Sequence, residues 1–297
     1  MRVLLFGGAG QVGTELQALA LTQGVEVVAP PRSVVDLEDD DAIGRIIAAE
    51  TWGAVINAAG YTNVDGAESE EMAAFAVNAT APALLAVETG LRQIPIIQIS
   101  TDYVFDGQKG APYVEDDVAA PLNAYGRSKL AGENAVRASN RQHIILRTAW
   151  VYSPYGKNFV RTILRLAQER DRLTVVADQR GSPTAARDVA KACLDVALSC
   201  AAEPKRAPYG VYHFAGAGEA SWFEFATAIV EAAADRLHRA PEVAPIRTID
   251  YPTPALRPAD TRLDCTAVVR AFGVTLQPWR CALVETIDRL LTGNDIP

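Results

Sequence analysis

The chain has 297 residues, 49% of them hydrophobic and 22% charged, with a net charge of −8 and no basic block. That length and apolar content suit a large core, in one big domain or a domain with a lobe, while the acidic balance argues against a nucleic-acid surface built on many phosphate contacts. The four cysteines, Cys193, Cys200, Cys265 and Cys281, lie far apart with no CxxC pair, so neither a zinc site nor a disulfide framework is indicated.

Short apolar runs, several rich in Val and Ile, alternate with helical stretches, the pattern of a parallel sheet covered on both faces. In chain order the strands fall at 2–6, 25–29, 54–57, 94–99, 143–147 and 173–177, and the helices at roughly 11–23, 39–50, 66–90, 123–139, 157–170 and 185–202. This predicts an α/β fold: a doubly wound parallel sheet of the Rossmann type with right-handed crossovers. After about residue 205 prolines break the alternation. A strand at 209–216, a helix at 221–237 opened by Ser221 with Glu224 as its capping-box partner, and a helix at 278–291 then read as a smaller C-terminal lobe. The expected division is 1–148 plus about 173–215 for a dinucleotide-binding domain, and about 149–172 and 216–297 for a substrate-binding lobe. No run of ~18 apolar residues appears, and glycines end the N-terminal apolar run early. A cytoplasmic protein without a membrane partner is expected.

"FGGAGQVG" places Gly7, Gly10 and Gly13 directly after the first strand, with Gln11 and Val12 opening the first helix. Gly7 suits a tight turn, Gly10 the close approach of a pyrophosphate and Gly13 helix-to-strand packing, with the helix N-terminus facing the anion. The second strand runs into "APPRS", with Arg32 and no carboxylate until Asp36, next to Leu37. An arginine there suits a 2′-phosphate and an acidic residue a 2′-OH, so NADPH is the first choice of cofactor and NADH the alternative. "NAAGYTNVD" (57–65) supplies Ala58, Ala59 and Gly60 where a cofactor backbone presses close, and Tyr61 and Asn78 are counted with them.

"NAYGRSKLAGE" sets Tyr125 four residues before Lys129, on one face of a helix. "ISTDYVFDG" (99–107) follows the fourth strand, where the carboxyl ends of a doubly wound sheet form the ligand crevice. A free phenol with a pKa near ~10 must fall by about 3 pH units, roughly 4 kcal/mol, to work near neutrality. A neighbouring ammonium provides that. The expectation is therefore an acid, Tyr125, tuned by Lys129, with Thr101 clamping the substrate oxygen. The histidines His143, His213 and His238 are scattered and offer no HExxH pair.

At these residues the sequence resembles the extended short-chain dehydrogenase/reductases, over essentially the whole chain: the glycine turn, "NAAG", "STDYVF", "YGRSK", "KNF" (157–159) and "RPADTRLD" (257–264). "GGAGQVG", "STDYVFDG", "RTAWVY" and "DQRGSPT" together narrow the likeness to the dTDP-4-dehydrorhamnose reductases. That resemblance implies reduction of the C4 keto group of dTDP-4-dehydro-L-rhamnose, with Thr101, Tyr125 and Lys129 as the catalytic set. It puts Trp150 against the sugar and Asp102, Tyr103, Phe105, Asn158, Pro183 and Arg257 in the substrate site, which residues 178–184 and 257–262 help to close. Asp260 and Thr261 stand where the family often carries an amide and a serine. Some relatives are dimers bridged by a metal through acidic residues. Here Glu15 has only Asp188 as a companion, so no metal is expected and a homodimer stays open. Nucleotide-sugar dehydratases place an Asp-Glu pair after the threonine, whereas this chain has Asp102 and Tyr103. Two further readings stay open: a 4-epimerase of the same superfamily, and a non-catalytic subunit resembling the regulatory subunit of methionine adenosyltransferase.

Overall fold

Five strands, β1 (Arg2–Phe6), β2 (Glu26–Val28), β3 (Ala54–Asn57), β4 (Ile96–Thr101) and β5 (His143–Thr148), run parallel in one sheet that the strand Gly210–His213 completes beside β5. The order is β2-β1-β3-β4-β5 and then Gly210–His213. The computed structural model describes residues 1–237 and 240–293, so His238 lies outside the described residues. Side chains of β1 alternate between two cores: Val3 and Leu5 pack with α1 (Gln11–Gln23) and Leu4 and Phe6 with α2 (Asp40–Ala49). Every one of these strand residues is buried, which is why the strands read as continuous apolar runs and not as alternating ones.

The helix expected over 66–90 is divided. A 3₁₀ turn at Gly66–Glu68 leads to α3 (Glu71–Phe75), a π-helical turn at Ala76–Thr80 and α4 (Ala81–Leu91). The π turn carries Asn78, whose amide bonds the Tyr61 carbonyl and the Ser128 hydroxyl. It packs against α5 (Ala124–Ser139), where Gly132 admits the Asn78 carbonyl; a Cβ there would lie 2.0 Å from that oxygen. By length and composition the 21-residue run Glu71–Leu91 is enough to cross a membrane. Here α4 packs against α5 and α2, as a core helix does.

Beyond β5, α6 (Phe159–Glu169), α7 (Ala186–Ala202), α8 (Trp222–Ala232), α9 (Thr266–Phe272) and α10 (Trp279–Thr292) follow. Helix α7 returns to the main sheet and packs on α1. The strand Arg172–Val176, counted from the sequence with the main sheet, instead pairs in parallel with Glu242–Ile246, and Gly210–His213 takes the sheet edge. Periodicity marks a strand without saying which sheet it joins. A second core holds Tyr152, Ile163, Phe225, Ile229, Trp279 and Leu283, and α8 opens with the expected capping box between Ser221 and Glu224. All four cysteines are unpaired, and only Cys281 is exposed.

Candidate active site

The sheet order reverses direction beside β1, and the crevice at the carboxyl ends of the strands opens there. Gly7 leaves β1 with φ of +84°, and a Cβ on it would lie 2.5 Å from the Ala59 amide nitrogen. A Cβ on Gly13 would lie 2.2 Å from the Gly7 carbonyl oxygen, so helix and turn pack this closely only with glycine at that position. At Gly10 a Cβ would meet only the Gly7 carbonyl, at 3.2 Å. It caps α1 without any side-chain bond, which turns the first amides of a 13-residue helix toward an anion.

A cavity of about 680 Å³ runs from this turn along the strand ends. Gly7, Gly10, Gln11 and Val12 form its wall after β1, Ala58, Ala59 and Gly60 after β3, and Thr101 and Asp102 after β4. Trp150 closes it beyond β5, Tyr125 and Lys129 enter from α5, and Asn158 from the start of α6. The crevice continues toward β2 as a second cavity of about 240 Å³, where Arg32, Asp36 and Leu37 lie with Pro30 and Pro31. Arg32 reaches Asp36 at 3.2 Å and Glu38 at 3.3 Å. A third cavity, about 390 Å³, lies in the lobe and is lined by Tyr103, Phe159, Trp222, Tyr251 and Arg257. The Arg257 guanidinium is held by Asp65 through two bonds, 2.8 and 3.1 Å. Between the first and third cavities, Trp150 stacks flat on Trp222 with ring centroids 3.5 Å apart. Trp150 has φ of +47°, rare for a bulky residue and a sign of imposed strain.

Four expected site residues stand elsewhere. Phe105 is fully buried, stacked on Tyr113 at 4.1 Å and under the Arg147 guanidinium; the 3₁₀ turn Asp102–Val104 that follows β4 leads it into the core. Pro183 is buried with its carbonyl against Gly216 and lines none of the three cavities. Tyr61 points its hydroxyl at Glu70, 2.8 Å away, and Asn78 bonds the Tyr61 amide and carbonyl. Both brace the turn after β3 from behind.

Comparisons with known proteins come to the same place. The family model described as RmlD substrate binding domain matches residues 1–292. A dTDP-4-dehydrorhamnose reductase of Sinorhizobium fredii is 42% identical over 296 residues, covering 99% of this chain and 100% of the relative. The chain belongs to the dTDP-4-dehydrorhamnose reductase family. Among solved structures, the reductase of Bacillus anthracis in complex with NADP shares 32% identity, with a TM-score of 0.89 over 97% of this chain and 99% of the other. A UDP-glucose 4-epimerase of Thermus thermophilus at 22% identity (TM-score 0.78, covering 99% of this chain and 100% of the other) shares the fold.

The electrostatics of this reductase-family site depart from the sequence expectation. Burial pushes the Tyr125 phenol up to about 12, and its hydrogen bond with Thr101 pulls only part of the way back. The Lys129 ammonium donates to the Ile99 carbonyl at 2.7 Å, and burial brings it down to about 8 while the Glu133 carboxylate opposes that fall. The shift runs opposite to the expected acidification: desolvation dominates, and the neighbouring Asp102 carboxylate raises the phenol further. Glu133 is itself buried in a bidentate pair with Arg147, at 2.7 and 3.0 Å, and accepts from Ser100. Asp102 is pushed up to about 7 by burial, with Thr261 and Thr101 hydrogen bonds opposing. Thr62, Thr148 and Lys157 also line the cavity; they lie in "NAAGYTNVD", "RTAWVY" and "KNF", but motif membership alone singled out none of the three as a site residue. Glu15 is paired with Arg289, and no group of three or more His, Cys, Asp or Glu among the described residues is placed to hold a metal.

Proposed function

We propose that this chain reduces the C4 keto group of dTDP-4-dehydro-L-rhamnose to dTDP-L-rhamnose with NADPH as reductant. The observation that carries the reading is the meeting of Thr101, Tyr125 and Lys129 in one cavity that begins at the glycine turn. The cradle at Gly10 and the uncapped start of α1 suit a pyrophosphate, and Arg32 beside the second cavity suits a 2′-phosphate. NADPH held there would supply a hydride for C4.

Reduction asks Tyr125 to give a proton to the oxygen, completing the change from carbonyl to secondary alcohol. A phenol with a pKa of about 12 carries that proton throughout the neutral range, and an alkoxide is the stronger base. The raised value thus suits the reducing direction. Thr101 holds the phenol by a hydrogen bond and stands beside the same oxygen. Lys129, charged below about pH 8, steadies the negative charge left on Tyr125 and orients a ribose hydroxyl. The lobe cavity beside Arg257 and Tyr103 takes the nucleotide, with the Trp150 indole as the wall against the sugar.

The test follows NADPH absorbance with dTDP-4-dehydrorhamnose generated in situ, set against other keto sugars. Tyr125→Phe should bind NADPH like the wild type and lose turnover by ~10²-fold or more. Near-normal turnover in that variant, or no NADPH oxidation by the wild type with this sugar, ends the assignment.

A further inference from the structure

Residues 153–158 form a strap leading into α6, and its Gly156, Lys157 and Asn158 line the main cavity together with the glycine turn and Gln11. One anchor is Gln11, whose carboxamide oxygen accepts from Ser153 Oγ at 2.8 Å and Asn158 Nδ2 at 3.0 Å. Glu15, one helical turn further along α1 and on the same face, carries a second anchor. Its carboxylate accepts from Arg289 Nη1 at 2.7 Å, and Arg289 Nη2 donates to the Tyr155 hydroxyl at 2.8 Å. The same guanidinium lies 5.7 Å from the centre of the Tyr155 ring. Arg289 belongs to α10 and lines none of the three cavities.

We propose that Arg289 is a positioning residue for the dinucleotide: from the C-terminal helix it ties the strap to α1, so that Lys157 and Asn158 are held over the phosphate-binding turn. Glu15 is almost fully buried, and a buried carboxylate holds a guanidinium in one place. The strap therefore has two fixed points on one rigid helix. Ser153 and Asn158, both held by Gln11, bond the Tyr155 backbone, and Arg289 adds a hold on its hydroxyl. This inference rests on the dinucleotide reading above and adds a residue that touches neither cofactor nor substrate.

Tyr155→Phe removes the Arg289 bond to the strap and keeps the Glu15–Arg289 pair; Arg289→Met removes both links. NADPH titrated into each variant, into the double variant and into the wild type should show dissociation constants raised about tenfold in either single variant, the factor for one lost hydrogen bond to a charged group. The double variant should be no weaker than the weaker single, because both changes cut one link. Turnover at saturating NADPH should stay within about twofold of wild type. Wild-type affinity in Tyr155→Phe, additive losses in the double variant, or turnover falling while affinity holds would overturn the proposal. If wild-type protein does not bind NADPH at all, it is the dinucleotide reading that fails.

Discussion

Replacing Lys129 by methionine should make this protein more stable while removing its activity. Burial lowers the ammonium from its usual 10.5 to about 8. At ~1.36 kcal/mol per pH unit, keeping that charge in the fold at pH 7 costs about 3 kcal/mol. The substitution also strips the Ile99 carbonyl of its 2.7 Å donor, a loss of about 1 kcal/mol. A net gain of about 2 kcal/mol remains, a few degrees in Tm for a chain of this size. The pH dependence identifies the cause. Between about pH 8 and 10.5 the folded wild type has released a proton that the unfolded chain still holds, so its stability rises with pH through that window. The advantage of Lys129→Met should accordingly be full below about pH 8 and fade toward pH 10.5. Urea unfolding of both proteins at pH 7 and pH 10 measures it. A variant less stable than wild type at pH 7, or a gap independent of pH, would refute the argument.

Asp102 runs the other way: burial raises its carboxyl from 3.8 to about 7, so between those values the folded chain holds the extra proton and stability falls as pH rises. Asp102→Asn should lack that slope in thermal melts between pH 4 and pH 7. Arg32→Ala should weaken NADPH about tenfold and leave NADH binding unchanged, as parallel titrations would report. Glu133→Gln strands the buried Arg147 guanidinium and should cost about 3–5 kcal/mol in chemical denaturation. Gly181→Ala would put a Cβ 2.4 Å from the Trp150 indole; KM for the sugar nucleotide should rise about tenfold with NADPH affinity intact.

Much of the site was legible because its signals are local. The glycine turn needs no partner beyond its own helix and two strands, and Gly7 and Gly13 sit where steric contact allows nothing larger. Tyr125 and Lys129 follow from helical spacing on α5, and Thr101 from ending the strand next to the crevice. Trp150 could be named from its motif, but not its left-handed backbone or its stack on Trp222, since those depend on a lobe helix more than seventy positions away. Phe105 failed for the same reason in reverse: motif membership says nothing about which way a side chain faces once the strand has ended.

By itself the sequence determined the parallel sheet, the dinucleotide turn and the order of the catalytic candidates, because apolar period and residue spacing act over a few residues at a time. Tertiary structure alone decided which sheet the strand Arg172–Val176 joins, that Tyr125 is made less acidic, and that Glu15 meets Arg289 across 274 positions. Desolvation and long-range pairing depend on what surrounds a group once the chain has closed around it, and no local pattern carries that information.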